Sequence, residues 1–133
     1  MNEVIKPWRR VGDFHGRATR KEYWSAMIQL TLIFVLFVVF FVAADETLPS
    51  PVVMFVMGML MLVFLVVAAV VGTSVGIRRI HDFDVTGWLV LTFYIPYLGW
   101  IAMIIIGCIP GTPSQNRWGA DPRGGPALQQ VFS

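Results

Sequence analysis

The chain divides into three long apolar runs separated by short polar stretches. From Ser25 to Ala44 only Ser25, Gln29 and Thr31 are polar, and Val52 to Ile77 carries no charge. Trp88 to Ile109 is the third run. Twenty helical residues rise about 30 Å, the thickness of one hydrocarbon core, so the first two runs predict membrane-spanning helices over about 25–44 and 52–77. The third, at about 88–109, holds Tyr94, Pro96, Tyr97, Gly99 and Trp100 near its middle, where proline with a nearby glycine breaks a helix. Two geometries fit it: one kinked crossing, or a re-entrant hairpin turning at Tyr97-Leu98-Gly99. Twenty-two residues are short for two passes, and the run is taken as a third span.

Local signals sharpen these limits. Thr19-Arg20-Lys21-Glu22 matches a capping box and starts the first helix at Arg20. Tyr23 and Trp24 follow at the depth of an interfacial aromatic belt. Pro49 and Pro51 bracket a turn over 45–51. Arg78 to Trp88 reads as a membrane-surface loop, with Arg78 and Arg79 closing one helix and Asp82 and Asp84 preceding the next. Ala68, Gly72 and Gly76 fall on one helical face and predict a close backbone approach, either within the chain or by a second copy. The expectation is an all-α, small polytopic membrane protein with three transmembrane helices, the third broken near Pro96–Gly99. Residues 1–18 form a basic interfacial segment, 19–122 one transmembrane domain, and 123–133 a flexible tail.

Composition supports lipid as the host. The 133 residues are 56% apolar and 14% charged. A chain this short has too much surface per volume to hide that apolar area from water. Net charge is only +2, but Lys6, Arg9, Arg10, Arg17, Arg20 and Lys21 all precede the first run, and the turn at 45–51 has no Lys or Arg. The positive-inside rule then places the amino end in the cytoplasm. A signal peptide competes for the first run, but the basic region is too long and the apolar stretch exceeds a usual signal core. The basic cluster lacks the aromatic platforms or groove-reading helix of a nucleic-acid binder. Cys108 reads as a small buried hydrophobe.

The polar stretches supply the candidate chemistry. His81 beside Asp82 has the residue types of a proton shuttle or metal ligand, and His15 lies on the same side by the charge rule. Nothing in the spacing brings the three together, and no catalytic motif is present, so no catalytic, cofactor or metal site is assigned. Arg17, Arg20, Glu22, Arg78, Arg79, His81 and Asp82 form a candidate polar cluster. Arg78 or Arg79 is expected to pair with Glu22 or Asp13, locking the amino-terminal segment onto the central stretch. Remaining cations would face anionic lipid headgroups.

Three phrases recur in a recognisable order: Phe14-His15-Gly16-Arg17-Ala18-Thr19-Arg20-Lys21-Glu22-Tyr23-Trp24; Arg78-Arg79-Ile80-His81-Asp82 with Thr86-Gly87-Trp88; and Pro110-Gly111-Thr112 with Asn116-Arg117-Trp118-Gly119-Ala120-Asp121-Pro122. Together they resemble the bacterial inner-membrane family catalogued as domain of unknown function 805, over residues 14–122. Ile80, Thr86 and Trp118 are conservative departures from its usual Leu, Ser and Tyr. The resemblance implies a small multi-span inner-membrane protein and brings no established activity, cofactor or catalytic residue. Three functions then compete: a non-catalytic interaction or assembly component, alone or as a homo-oligomer; a subunit of an oligomeric transporter or channel, suggested by the broken third run; and a lipid-acting enzyme with His81 as base.

Overall fold

A computed structural model describes residues 4–47 and 50–124. Leu48 and Pro49 of the expected turn, and nearly all of the expected tail over 123–133, lie outside the described residues. The elements are α1 (Lys6–Arg9), α2 (Arg20–Thr47), α3 (Pro51–His81), a 3-10 helix (Gly87–Tyr94) and α4 (Leu98–Cys108).

The two long helices have 28 and 31 residues, about 42 and 46 Å of rise, against a hydrocarbon core of about 30 Å. Each therefore crosses and extends beyond the core, or crosses with tilt. They run antiparallel: Glu22 meets Arg78 at one end, and Phe34 stacks on Phe64 at 6.4 Å farther along. Their middles are apolar yet uncovered, with Leu36 at 68% and Phe55 at 70% exposure. A water-soluble core helix would bury such side chains, so this surface belongs against lipid.

Two expectations change here. First, the stretch after Ile77 is not loop: α3 continues to His81, and only 82–86 separates it from the 3-10 helix. Its last carbonyls have partners, since Asn116 Nδ2 donates to His81 O at 2.9 Å and Thr112 N–H donates to Asp82 O at 2.8 Å. A helix end with its carbonyls satisfied can extend this far.

Second, the third apolar run is broken at the expected place but doubles back instead of crossing. It enters with Gly87 beside Ile77 and His81, lays Val90 and Phe93 on Gly76, and hydrogen-bonds Tyr94 to Thr73. It returns past Tyr23, whose hydroxyl donates to Met103 O at 3.0 Å, and Trp24, whose indole donates to Gly107 O at 3.3 Å. It ends with Ile109 O accepting from Arg79, beside the point of entry. Eight 3-10 residues and eleven α residues each rise roughly 16 Å, so the arms match and reach about half the core.

The tip explains the reversal. Pro96 offers no N–H, and Leu98 N–H donates to Pro96 O at 2.7 Å across a three-residue turn centred on Tyr97. Tyr97 sits at φ 63°, ψ −50°, a strained conformation for a bulky residue. Gly99 is required just after it, because a Cβ there would lie 2.3 Å from Phe93 O. Irregular backbone at membrane depth is tolerated where protein covers it, and α2 and α3 supply part of that cover.

The two clusters of buried apolar side chains lie at the end where α2 begins and α3 finishes. Ala18, Tyr23, Ala26, Met27 and Val75 form one cluster, and Ile80, Val90 and Ile106 a second. Tyr23 and Trp24 turn inward onto α4 and leave the headgroup layer, because buried Tyr and Trp polar atoms seek partners and α4 offers carbonyls. On the small-residue face, a Cβ at Gly76 would come 2.8 Å from Phe93, and one at Gly72 would lie 3.9 Å from Met27. Ala68 lines an apolar groove of about 340 Å³ with Phe34 and Trp100. Gly76 thus seats the hairpin, and Gly72 faces α2.

Candidate functional site

The three polar phrases, far apart in sequence, meet at the end where α2 begins and α3 finishes. Arg17, Glu22, Arg78, Arg79, His81 and Asp82 are all nearly or fully buried there. Isolated buried charges are prohibitively unfavourable, so the pairing has to be close. It is organised around two carboxylates.

Asp82 is held from two sides. Arg17 Nε donates to its Oδ1 at 2.9 Å, and Arg79 Nη1 donates to its Oδ2 at 2.6 Å. Both guanidiniums also serve the carboxy-terminal segment. Arg17 donates to Ser114 O at 2.7 Å and to Thr112 O at 2.5 Å, while Arg79 donates to Ile106 O at 3.2 Å and to Ile109 O. Gly111 is the residue that lets this segment pass: a Cβ there would lie 1.8 Å from Asp82 Oδ2.

Glu22 anchors the other pair. Arg78 Nη1 donates to Glu22 Oε1, and Lys6 Nζ lies 3.6 Å from Oε2. This ties α1, α2 and α3 together. It also explains why the capping box is formed as only half of its pattern. Glu22 N–H donates to Thr19 Oγ1 at 3.1 Å, but the Glu22 side chain turns to Arg78 instead of back to Thr19. Arg78 Nε and Nη2 and Glu22 Oε2 have no hydrogen-bond partner among the described residues.

His81 is held by a backbone contact and an aromatic ring. Its Nδ1 lies 3.2 Å from Gly16 O, so in the neutral ring that nitrogen carries the proton and Nε2 the lone pair. Its ring stacks on Trp118 at 3.6 Å and 3°. The His15 side chain is 98% exposed, and both Asp82 oxygens are taken by arginines. Among the described residues no three His, Cys, Asp or Glu side chains are placed to hold a metal ion. Arg20 stays at the exposed edge, its Nε donating to Ile109 O at 3.2 Å.

Outside the spans, two carboxylates titrate low. The His15 backbone N–H and then the Arg10 guanidinium hold Asp13 below its ordinary value. For Asp121, burial pushes upward, but the backbone N–H and guanidinium of Arg123 outweigh it. Asp13 therefore pairs with Arg10 at 2.7 Å and leaves Glu22 to Arg78.

Sequence reasoning missed the carboxy-terminal members. Asn116, Arg117 and Trp118 carry no role in the candidate polar cluster, yet Asn116 caps α3, Arg117 pairs with Asp84 at 3.1 Å and lies over the Trp118 ring at 5.5 Å, and Trp118 covers His81. Their only signal was membership in the third phrase.

The chain matches the family described as "Protein of unknown function (DUF805)" over residues 11–120. It is 32% identical over 124 residues to the Escherichia coli K12 protein named inner membrane protein YhaH, covering 92% of this chain and 98% of that one. It is 34% identical over 112 residues to inner membrane protein YhaI of the same strain, covering 84% and 87%. No solved structure matches it.

Proposed function

The chain belongs to the DUF805 family, and from that premise we propose that it is a non-catalytic interaction or assembly component. It is an integral inner-membrane protein, with two helices long and apolar enough to cross and relatives named for that membrane. One observation carries the finer reading: the charged side chains that sequence offered for chemistry are joined to one another across α1, α2, α3 and the 110–119 segment. Pairs of buried charges that bridge separate elements fix their relative geometry, even with Arg78 Nε and Nη2 and Glu22 Oε2 left without hydrogen-bond partners among the described residues. The fixed geometry presents a long uncovered apolar face on α2 and α3, suited to a second membrane protein or another copy of this chain.

The excess of Lys and Arg before α2 supports a cytoplasmic amino terminus. The described part of the 110–124 segment then shares that side, since Arg17 contacts both Asp82 and Ser114. Photo-crosslinkers at Leu60 and Val63 on the exposed face of α3 test the proposal in native membranes. A discrete adduct with one recurrent protein, or with a second copy, is the expected result. Adducts with lipid alone at both positions would sink it.

The re-entrant hairpin favours a second reading, a subunit of an oligomeric transporter, because broken helices commonly line sites. Proteoliposomes that pass no ions or small solutes under an imposed gradient would remove it.

A further inference from the structure

A cleft of about 590 Å³ opens between the start of α2 and the carboxy-terminal segment, lined by Thr19, Arg20, Lys21, Asp82, Gly111 and Arg123 among others. Three of these side chains are cations. The one carboxylate, Asp82, is already bound on both oxygens by Arg17 and Arg79 from behind. The nearby carbonyls are occupied as well: Ile109 O accepts from Arg20 and Arg79, and Thr112 O accepts from Arg17 and Arg123. The acceptors that would repel an anion are thus quenched by arginines.

Donors remain. Arg20 uses Nε on Ile109, which leaves its terminal nitrogens. Lys21 is exposed and has no ion-pair partner among the described residues. Arg123 uses Nε and Nη2 on Asp121 and Thr112, which leaves Nη1 without a hydrogen bond among the described residues. Depth gives the next constraint. Arg20 and Lys21 precede Ser25, the first residue of the apolar run, by four or five residues, or about 6–8 Å of helix. A headgroup layer is about 5–8 Å thick on each side of the core.

We propose that this cleft binds a phosphate group, held by Arg20, Lys21 and Arg123. The depth matches the phosphate plane of an anionic lipid headgroup, and free phosphate is the other source of the same chemistry. The site stands apart from the interaction role above and does not rest on it.

The test uses the full chain in a neutral detergent, titrated with short-chain phosphatidic acid and separately with inorganic phosphate, with binding read by native mass spectrometry. One bound equivalent of the lipid is expected. The Lys21→Gln/Arg123→Gln variant is expected to bind on the order of thirtyfold more weakly, as removal of two surface cations implies. Lys21→Gln alone, at an exposed side chain with no ion-pair partner among the described residues, serves if the double variant does not fold, with roughly a fivefold loss expected. Arg117→Gln, which removes an exposed cation that does not line the cleft, is expected to leave affinity within about twofold. Equal binding by wild type and the cleft variants overturns the proposal, as does an equal loss from Arg117→Gln. If inorganic phosphate binds as tightly with the same dependence on Lys21 and Arg123, the phosphate site stands and its source is the free anion.

Discussion

The two ends of the α2–α3 pair obey opposite rules. At the end holding Arg17, Glu22, Arg78, Arg79 and Asp82, charged side chains are buried. Along the middle, large apolar side chains such as Leu36, Val52 and Phe55 are exposed. Lipid resolves the contrast. Where the solvent is hydrocarbon, apolar exposure carries no penalty and gives little drive for one helix to choose another. Specificity then has to come from polar pairing and close packing, and both are gathered at the charged end.

The contrast predicts where substitutions act. The largest effect is expected from removing one partner of a buried pair. Arg78→Leu leaves Glu22 without its arginine and should cost about 3–5 kcal/mol, measured by reversible unfolding in mixed micelles. The double variant Glu22→Leu/Arg78→Leu should recover much of that, because an apolar pair of matched volume replaces a desolvated ionic one. No recovery would mean that the pair does more than satisfy itself. Gly111→Ala acts through overlap. Its Cβ would overlap Asp82 Oδ2, and the 110–119 segment would have to move. A loss of about 1–3 kcal/mol is expected, with earlier proteolysis of that segment.

A matched pair of truncations tests the contrast directly. Ile80→Ala, at a fully buried position, should cost about 2–5 kcal/mol. Leu36→Ala, at a position 68% exposed, should stay within about 0.5 kcal/mol, since detergent or lipid fills the gap. Equal losses would show that the middle of α2 is packed against something in the sample. One substitution is expected to give a gain. Tyr97 is 87% exposed and strained at φ 63°, so Tyr97→Gly should stabilise the hairpin by about 1 kcal/mol. A loss would show that the ring holds the tip in place.

Much of this was legible residue by residue. The lengths of the uncharged stretches placed α2 and α3, because burying some thirty ångströms of backbone in hydrocarbon requires about twenty apolar helical residues whatever surrounds them. Thr19 marked the start of α2, and Pro51 stands at the start of α3. Pro96 and Gly99 announced the break in the third run, because the missing N–H and the missing side chain are properties of those residues alone.

Tertiary structure alone decided three matters. Among the pairings expected of Arg78 or Arg79 with Glu22 or Asp13, Glu22 took Arg78, 56 residues away; Arg17 joined Asp82, 65 away; and Asn116 reached back to His81. With those partners in place, α3 could run through its own arginines to His81, and the third run could return to the side it left. Helix length and hydropathy are sums over neighbours in sequence, so the amino-acid order determines them. The partner of a buried charge, and the direction taken after a broken helix, depend on which distant groups arrive at the same depth, and no local pattern carries that information.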